Sequence, residues 1–190
     1  MLAPDDPASA LRLAQALMVE TPKMLNHNRG LWGYSGLAAD GELLTVQATG
    51  TGGPSAAIVV RELAALGARR IVRVGTCQAA ALAPGTVVVA DPVVGRDGTS
   101  AALGGALVID EALAGRIDAP RVAVVSVDVF GPGEGVFDME SAAVLAAAFL
   151  AGVSAAVVLV VSNADDAQRQ LDELAAGAAA ARAFSLGAGS

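Results

Sequence analysis

The sequence predicts an α/β fold: three αβα layers around a central mixed, largely parallel sheet. Three observations point to it. Short β-branched apolar runs alternate along the chain with Ala- and Leu-rich stretches of helical spacing. Glycines and prolines punctuate the junctions between them. Hydrophobic residues make up 54% of the 190-residue chain and aromatics 3%, which suits one densely packed core built from small side chains.

Residues 8–20 place Leu11, Leu13, Ala14, Leu17 and Met18 at helical spacing. Residues 42–49 read as a strand ending at Gly50-Thr51-Gly52-Gly53, and Pro54 suits the first turn of a helix reaching about Leu66. Gly67 stops that helix. Strands are expected over 71–75, 86–90, 121–127 and 155–162, with helices over 138–151 and 167–184. Residues 142–161 are long and apolar enough to consider as a membrane span. Gly152 and Ser154 interrupt them, no Lys or Arg flanks them closely, and the second half, from Val157 to Val161, is mostly β-branched. They read as a buried helix followed by a central strand. No linker or repeat divides the chain, so one domain is expected over 1–190.

The formal net charge of −7, without a basic stripe, argues against a nucleic-acid surface. Cys77 is the single cysteine and His27 the single histidine, which excludes an intrachain disulfide and argues against a His/Cys zinc site. The acidic start, with Asp5 and Asp6, does not read as a signal peptide, so a reducing, cytoplasmic setting is expected.

Ligands of such sheets bind beyond the carboxyl ends of the strands, and four segments fall there. Gly50 to Ser55 joins a strand to a helix N-terminus: either a plain tight turn or a place where an anion meets bare backbone. Arg73, inside an apolar strand and followed by Thr76, requires an anionic partner, either a structural carboxylate or a ligand. Glu140, in Asp138-Met139-Glu140-Ser141, suits simple capping of a helix, or acceptance of two hydrogen bonds from a sugar diol. Asn163 and Asp165 follow the most apolar strand, in a solvated loop or within reach of a base.

Together these segments resemble the nucleoside phosphorylase family, in the family's order across about residues 1–165. Arg29-Gly30-Leu31-Trp32-Gly33-Tyr34-Ser35-Gly36 is similar to the RG-x-x-G-[FY]-[TS]-G segment of hexameric purine nucleoside phosphorylases. Gly50 to Ser55 with Glu62-Leu63 and Leu66-Gly67, Arg73 to Cys77, and Asp138 to Ala142 resemble stretches of uridine phosphorylases. The resemblance implies cleavage of a purine or pyrimidine nucleoside by inorganic phosphate, giving free base and pentose 1-phosphate, with no metal or organic cofactor. It implies phosphate binding by Arg73 and Thr76, joined by Arg29 from a neighbouring subunit, and hence a homo-oligomer, a dimer or a trimer of dimers. It implies ribose binding by Met139 and Glu140, and base binding by Phe130, Glu134 and Asn163. Arg73, Glu140 and Asn163 become the expected catalytic residues, and neither nucleic acid nor membrane is an expected partner.

The chain also departs from the pattern. In Pro4-Asp5-Asp6-Pro7-Ala8-Ser9, which resembles the phosphate loop P-G-D-P-x-R, Asp5 replaces glycine and Ser9 replaces arginine, and the preceding strand is nearly absent. Gln78 stands where a glycine follows the R-V-G-T-C motif. Glu134 replaces a base-reading glutamine, and the insert that follows it in uridine phosphorylases is missing. Asn163 occupies the place of the catalytic aspartate of purine-specific relatives, with Asp165 and Asp166 as possible substitutes. Hydrolysis by water, or ligand binding without turnover, are therefore the alternatives to phosphorolysis.

Overall fold

The computed structural model describes residues 1–131, 133–162 and 166–184, and side-chain surroundings for all of these except 166–171 and 182. Nine strands form one mixed sheet: β1 (Leu2–Pro4), β2 (Lys23–Asn26), β3 (Gly33–Leu37), β4 (Leu43–Gln47), β5 (Arg70–Ala79), β6 (Val87–Arg96), β7 (Arg121–Val127), β8 (Val136–Asp138) and β9 (Ser154–Val161). Their order is β2-β3-β4-β1-β5-β8-β7-β6-β9, and β9 also pairs with β5. The last five strands thus close into a ring, and the first four extend from β5 as an open wing. Five ladders are parallel and four antiparallel. The mixed sheet was expected; the ring closure has no signature in the periodicity of single strands.

Helices α1 (Pro7–Leu17), α2 (Gly53–Ala65), α3 (Gly98–Leu103), α4 (Glu111–Ala114), α5 (Ser141–Leu150) and α6 (Asp166–Ala181) cover the sheet. Side-chain alternation along β5 and β9 splits the core in two. Ile71, Cys77, Val157 and Leu159 pack with Val60 of α2 and Leu145 of α5. Val72, Val74, Val158 and Val160 pack with Leu13 of α1, Leu113 of α4 and Ala180 of α6. β9 is buried on both faces, which is why 155–161 reads as an unbroken apolar run. Among the described residues no helix is long and apolar enough to cross a membrane.

Several elements differ from expectation for local reasons. β1 is present, short but fully buried, held between β4 and β5. β6 continues to Arg96 instead of ending at 90; its ladder to β7 shifts register between Ala90 and Val93, around Pro92, which has no N–H to donate. α5 starts at Ser141 and not at Asp138, because Asp138 is the last residue of β8 and caps the helix from there. β2, β3 and β8 are additional, short strands, two of them on the open wing.

Candidate active site

The site grows from one buried charge. Arg73 lies mid-way along β5 with no exposed surface, where an uncompensated guanidinium would cost several kcal/mol, by order of magnitude. Gly75, two residues on and on the same face, leaves room for the side chain to fold over the strand. A Cβ there would lie 2.6 Å from Arg73 Nη2. Nη2 donates to Glu140 Oε2 at 2.5 Å and approaches Asp138 Oδ2 at 3.3 Å, and Nε donates to the same Asp138 oxygen at 3.3 Å. Nη1 is buried too, yet has no partner among the described residues.

Asp138 is a hub. Its carboxylate accepts from the Ser126 hydroxyl of β7 at 2.5 Å, from the Ser141 hydroxyl at 2.6 Å, and from the backbone N–H groups of Ser141 and Glu140 at 2.8 and 3.2 Å. Ser126 Oγ in turn accepts from the Ala142 N–H at 2.9 Å. One carboxylate thereby ties β7, β8, the first turn of α5 and the arginine together. Glu140, just before α5, also accepts from the Gly52 N–H at 2.6 Å. Gly52 has φ 86°, a conformation that favours glycine, and it turns that N–H toward the carboxylate. The N-termini of α2, α3 and α5 meet here: a Cβ on Gly53 would lie 3.0 Å from Thr99 and 3.2 Å from Ala143. Two of these positive helix ends, those of α2 and α5, flank Glu140.

Asp5 adds a third carboxylate. β1 pairs Ala3 with Arg73 and Pro4 with Val74, so Asp5 follows directly beside Gly75, and its carbonyl accepts from the Gly50 N–H at 3.0 Å. Burial opposes the charge of Arg73, but Glu140, Asp138 and Asp5 together hold it above the ordinary arginine range. Burial pushes the Glu140 carboxyl up, and Asp5 and Asp138 push the same way against Arg73 and the Gly52 N–H. Cys77, buried beside this cluster, has its thiol pushed up to about 12, by burial first and Asp138 second.

The other expected residues sit as follows. Thr76 is half-buried on β5, three residues beyond Arg73, and Met139 is half-buried between Asp138 and Glu140. Arg29 is exposed at the tip of a one-turn 3₁₀ segment, with φ 57°, outside the Arg73 network of its own chain. Its loop is pinned by Asn26 Nδ2 and Gln47 Nε2, which donate to the Leu31 carbonyl at 2.7 and 2.9 Å. Phe130, 38% exposed, and Glu134, exposed, lie on the connection from β7 to β8. Asn163 and Asp165 lie outside the described residues. Ser9 turns away from the cluster: it is buried, and its hydroxyl bonds Glu173 while accepting from Arg12. The sequence marked Arg73 and Glu140 but not their mutual pairing, nor Ser126, a serine in a strand with no distinguishing neighbour.

The sequence profile of the Phosphorylase superfamily matches residues 4–125. A DeoD-type purine nucleoside phosphorylase from Oceanobacillus iheyensis is 42% identical over 80 residues, 42% of this chain and 33% of that protein. A uridine phosphorylase from Treponema pallidum is 41% identical over 103 residues, 53% of this chain and 38% of that protein. The chain thus matches well under half the length of these curated relatives. In structure it is similar to a Vibrio fischeri uridine phosphorylase, with TM-score 0.85, 22% identity, and 96% of this chain and 90% of that chain covered. A Toxoplasma gondii purine nucleoside phosphorylase, crystallised with immucillin-H, superimposes with TM-score 0.81 at 22% identity, covering 96% and 90%. At that identity these two likenesses describe the fold.

Proposed function

This chain belongs to the Phosphorylase superfamily, and from that premise we propose that it cleaves the N-glycosidic bond of a purine or pyrimidine nucleoside with inorganic phosphate. A phosphate oxygen bonds to the anomeric carbon, the carbon–nitrogen bond breaks, and the base leaves with the electron pair and takes up a proton. The observation that carries this reading is the buried Nη1 of Arg73, a cationic donor with no partner among the described residues, beside the Glu140 carboxylate. Arg73 and Thr76 bind the phosphate, joined by Arg29 of a second copy. Glu140 and Met139 hold the ribose. A carboxylate has about four lone-pair positions, and Glu140 uses two in the network, leaving acceptors for the 2′ and 3′ hydroxyls. Phe130, Glu134 and Asn163 serve the base, with Asn163 in the role of acting on the leaving group. Catalysis then lies in fixed charges around an oxocarbenium-like sugar.

A second reading is favoured by Asp5. Three carboxylates face one guanidinium in a single copy, an arrangement that suits water better than an anion as the acceptor. Incubating the protein with uridine, cytidine, inosine and adenosine, with and without phosphate, separates the two. Pentose 1-phosphate appearing only with phosphate is the expected result. Equal base release without phosphate replaces phosphorolysis with hydrolysis, and absence of turnover in every arm leaves ligand binding alone. The working unit is one domain over 1–190, acting as a homo-oligomer in the cytoplasm, with no nucleic-acid or membrane partner. A groove of about 750 Å³ between α2 and the open wing, lined by Leu25, Leu43 and Leu66, supports the assembly.

A further inference from the structure

We propose that Gln78 reads the hydrogen-bonding edge of the nucleobase, an inference that rests on the nucleoside reading above. Gln78 is exposed near the end of β5, where its antiparallel partner on β8 is Phe137. The next residue of β8 is Asp138, so the backbone of this pair adjoins that of Asp138 and of the Met139-Glu140 pair that follows, although the Asp138 side chain projects to the other face of the strand. A cleft of about 240 Å³ opens here, lined by Gln78, Ala79, Ala80, Gly131, Gly133, Gly135 and Phe137.

The chemistry of that lining is specific. Cβ atoms added to Gly133 or Gly135 would stand 3.5 and 3.3 Å from the Phe137 ring. The glycine backbone therefore approaches the Cε2–Cζ edge of the ring closely, and at Gly135, with φ 142°, a side chain is strained as well. Bare glycine backbone and one aromatic ring give the cleft an apolar lining that a planar heterocycle can pack beside. Among the described lining residues Gln78 alone has a side chain that donates or accepts hydrogen bonds. Its amide does both, which is what a lactam edge (a carbonyl beside a ring N–H) or an amino-imine edge requires. Glu134, on the same loop but outside this lining, can only accept when ionised.

The test compares the wild type with Gln78→Glu and Gln78→Gly, using kcat/KM for uridine against cytidine and for inosine against adenosine. Calorimetric titration with uracil, cytosine, hypoxanthine and adenine repeats the comparison where chemistry is slow. A carboxylate keeps the acceptor and loses the donor. Because either edge needs that donor, Gln78→Glu is expected to lower kcat/KM and free-base affinity roughly tenfold for all four bases, and Gln78→Gly, which loses both hydrogen bonds, to lower them further. The KM for phosphate is expected to stay put in both variants. Variants that match the wild type in kcat/KM and in free-base affinity overturn the role of Gln78 and leave nucleoside cleavage standing, as does a loss that falls equally on the KM for phosphate. A wild type that binds and cleaves none of these compounds overturns the nucleoside reading and this inference with it.

Discussion

At the scale of single residues, the Arg73 cluster is a charge balance with two separable functions. Glu140→Ala removes the proposed sugar acceptor, and each charge-assisted hydrogen bond lost is worth about 1.5–3 kcal/mol. Uridine binding is expected to weaken by roughly tenfold or more, while a 2′,3′-dideoxynucleoside loses far less. Equal losses for both ligands, read by calorimetry, take the carboxylate out of the sugar site. Asp5 governs protons. Because the folded state raises the Glu140 pKa, it binds that proton more tightly than the unfolded chain. The associated stability is present below the ordinary glutamate value, about 4.3, and is lost as pH rises through the raised one. Asp5→Asn removes a repelling charge. It is expected to raise Tm by about 2–4 °C at pH 7, corresponding to ~1 kcal/mol, to give no gain near pH 3, where the raised Glu140 carboxyl carries no charge to be repelled, and to tighten phosphate binding. A Tm gain of equal size at both pH values means that the effect is not electrostatic. The single change is the clean one: arginine at position 9 would enter a buried pocket already shared by Ser9 and Glu173. From the residues alone, the need of Arg73 for an anion was legible, since an isolated charge in an apolar strand demands one. Its choice of Asp138 and Glu140 was not, because those partners lie 65 and 67 positions away.

At the scale of elements, the strand ends position the chemistry. Gly75→Ala drives a methyl group into a buried guanidinium that is clamped by two carboxylates. Overpacking of this kind costs about 1–3 kcal/mol. Phosphate affinity is expected to fall roughly tenfold or more as the cationic donor shifts, by analogy with other lost charge-assisted bonds. A shift in urea midpoint with unchanged phosphate affinity separates Arg73 from the phosphate. The long apolar strands and the Pro54-led helix were readable because each sets its own periodicity or cap. β8 was not: three residues hold no period, and it exists because β5 and β7 flank it. The same holds for the start of α5, where an Asp that looked like a helix-opening residue is instead the end of a strand.

At the scale of the whole molecule, the exposed apolar side chains Leu25, Leu43, Ile58 and Leu66, at 55%, 73%, 60% and 85% accessibility, suit the proposed contact with a second copy. Sedimentation at micromolar concentration is expected to give a dimer or larger, and Leu66→Lys to shift it toward monomer. A wild type that sediments only as monomer removes Arg29 from the site along with the interface. The αβα layering was legible from alternating strand and helix patterns; the ring was not, since closure is a property of pairings 84 positions apart, such as Arg70 with Ser154. That separation has a consequence for synthesis. When β5 and β6 leave the ribosome, the strand that pairs with both has not been made. For the time needed to add some 60 residues, roughly 3–12 s at ordinary elongation rates, two long apolar strands have bare hydrogen-bonding edges. Nascent chains stalled before β9 are thus the species to which a holding chaperone should bind most tightly, and full-length chains released from it should let go as the last strand zips in.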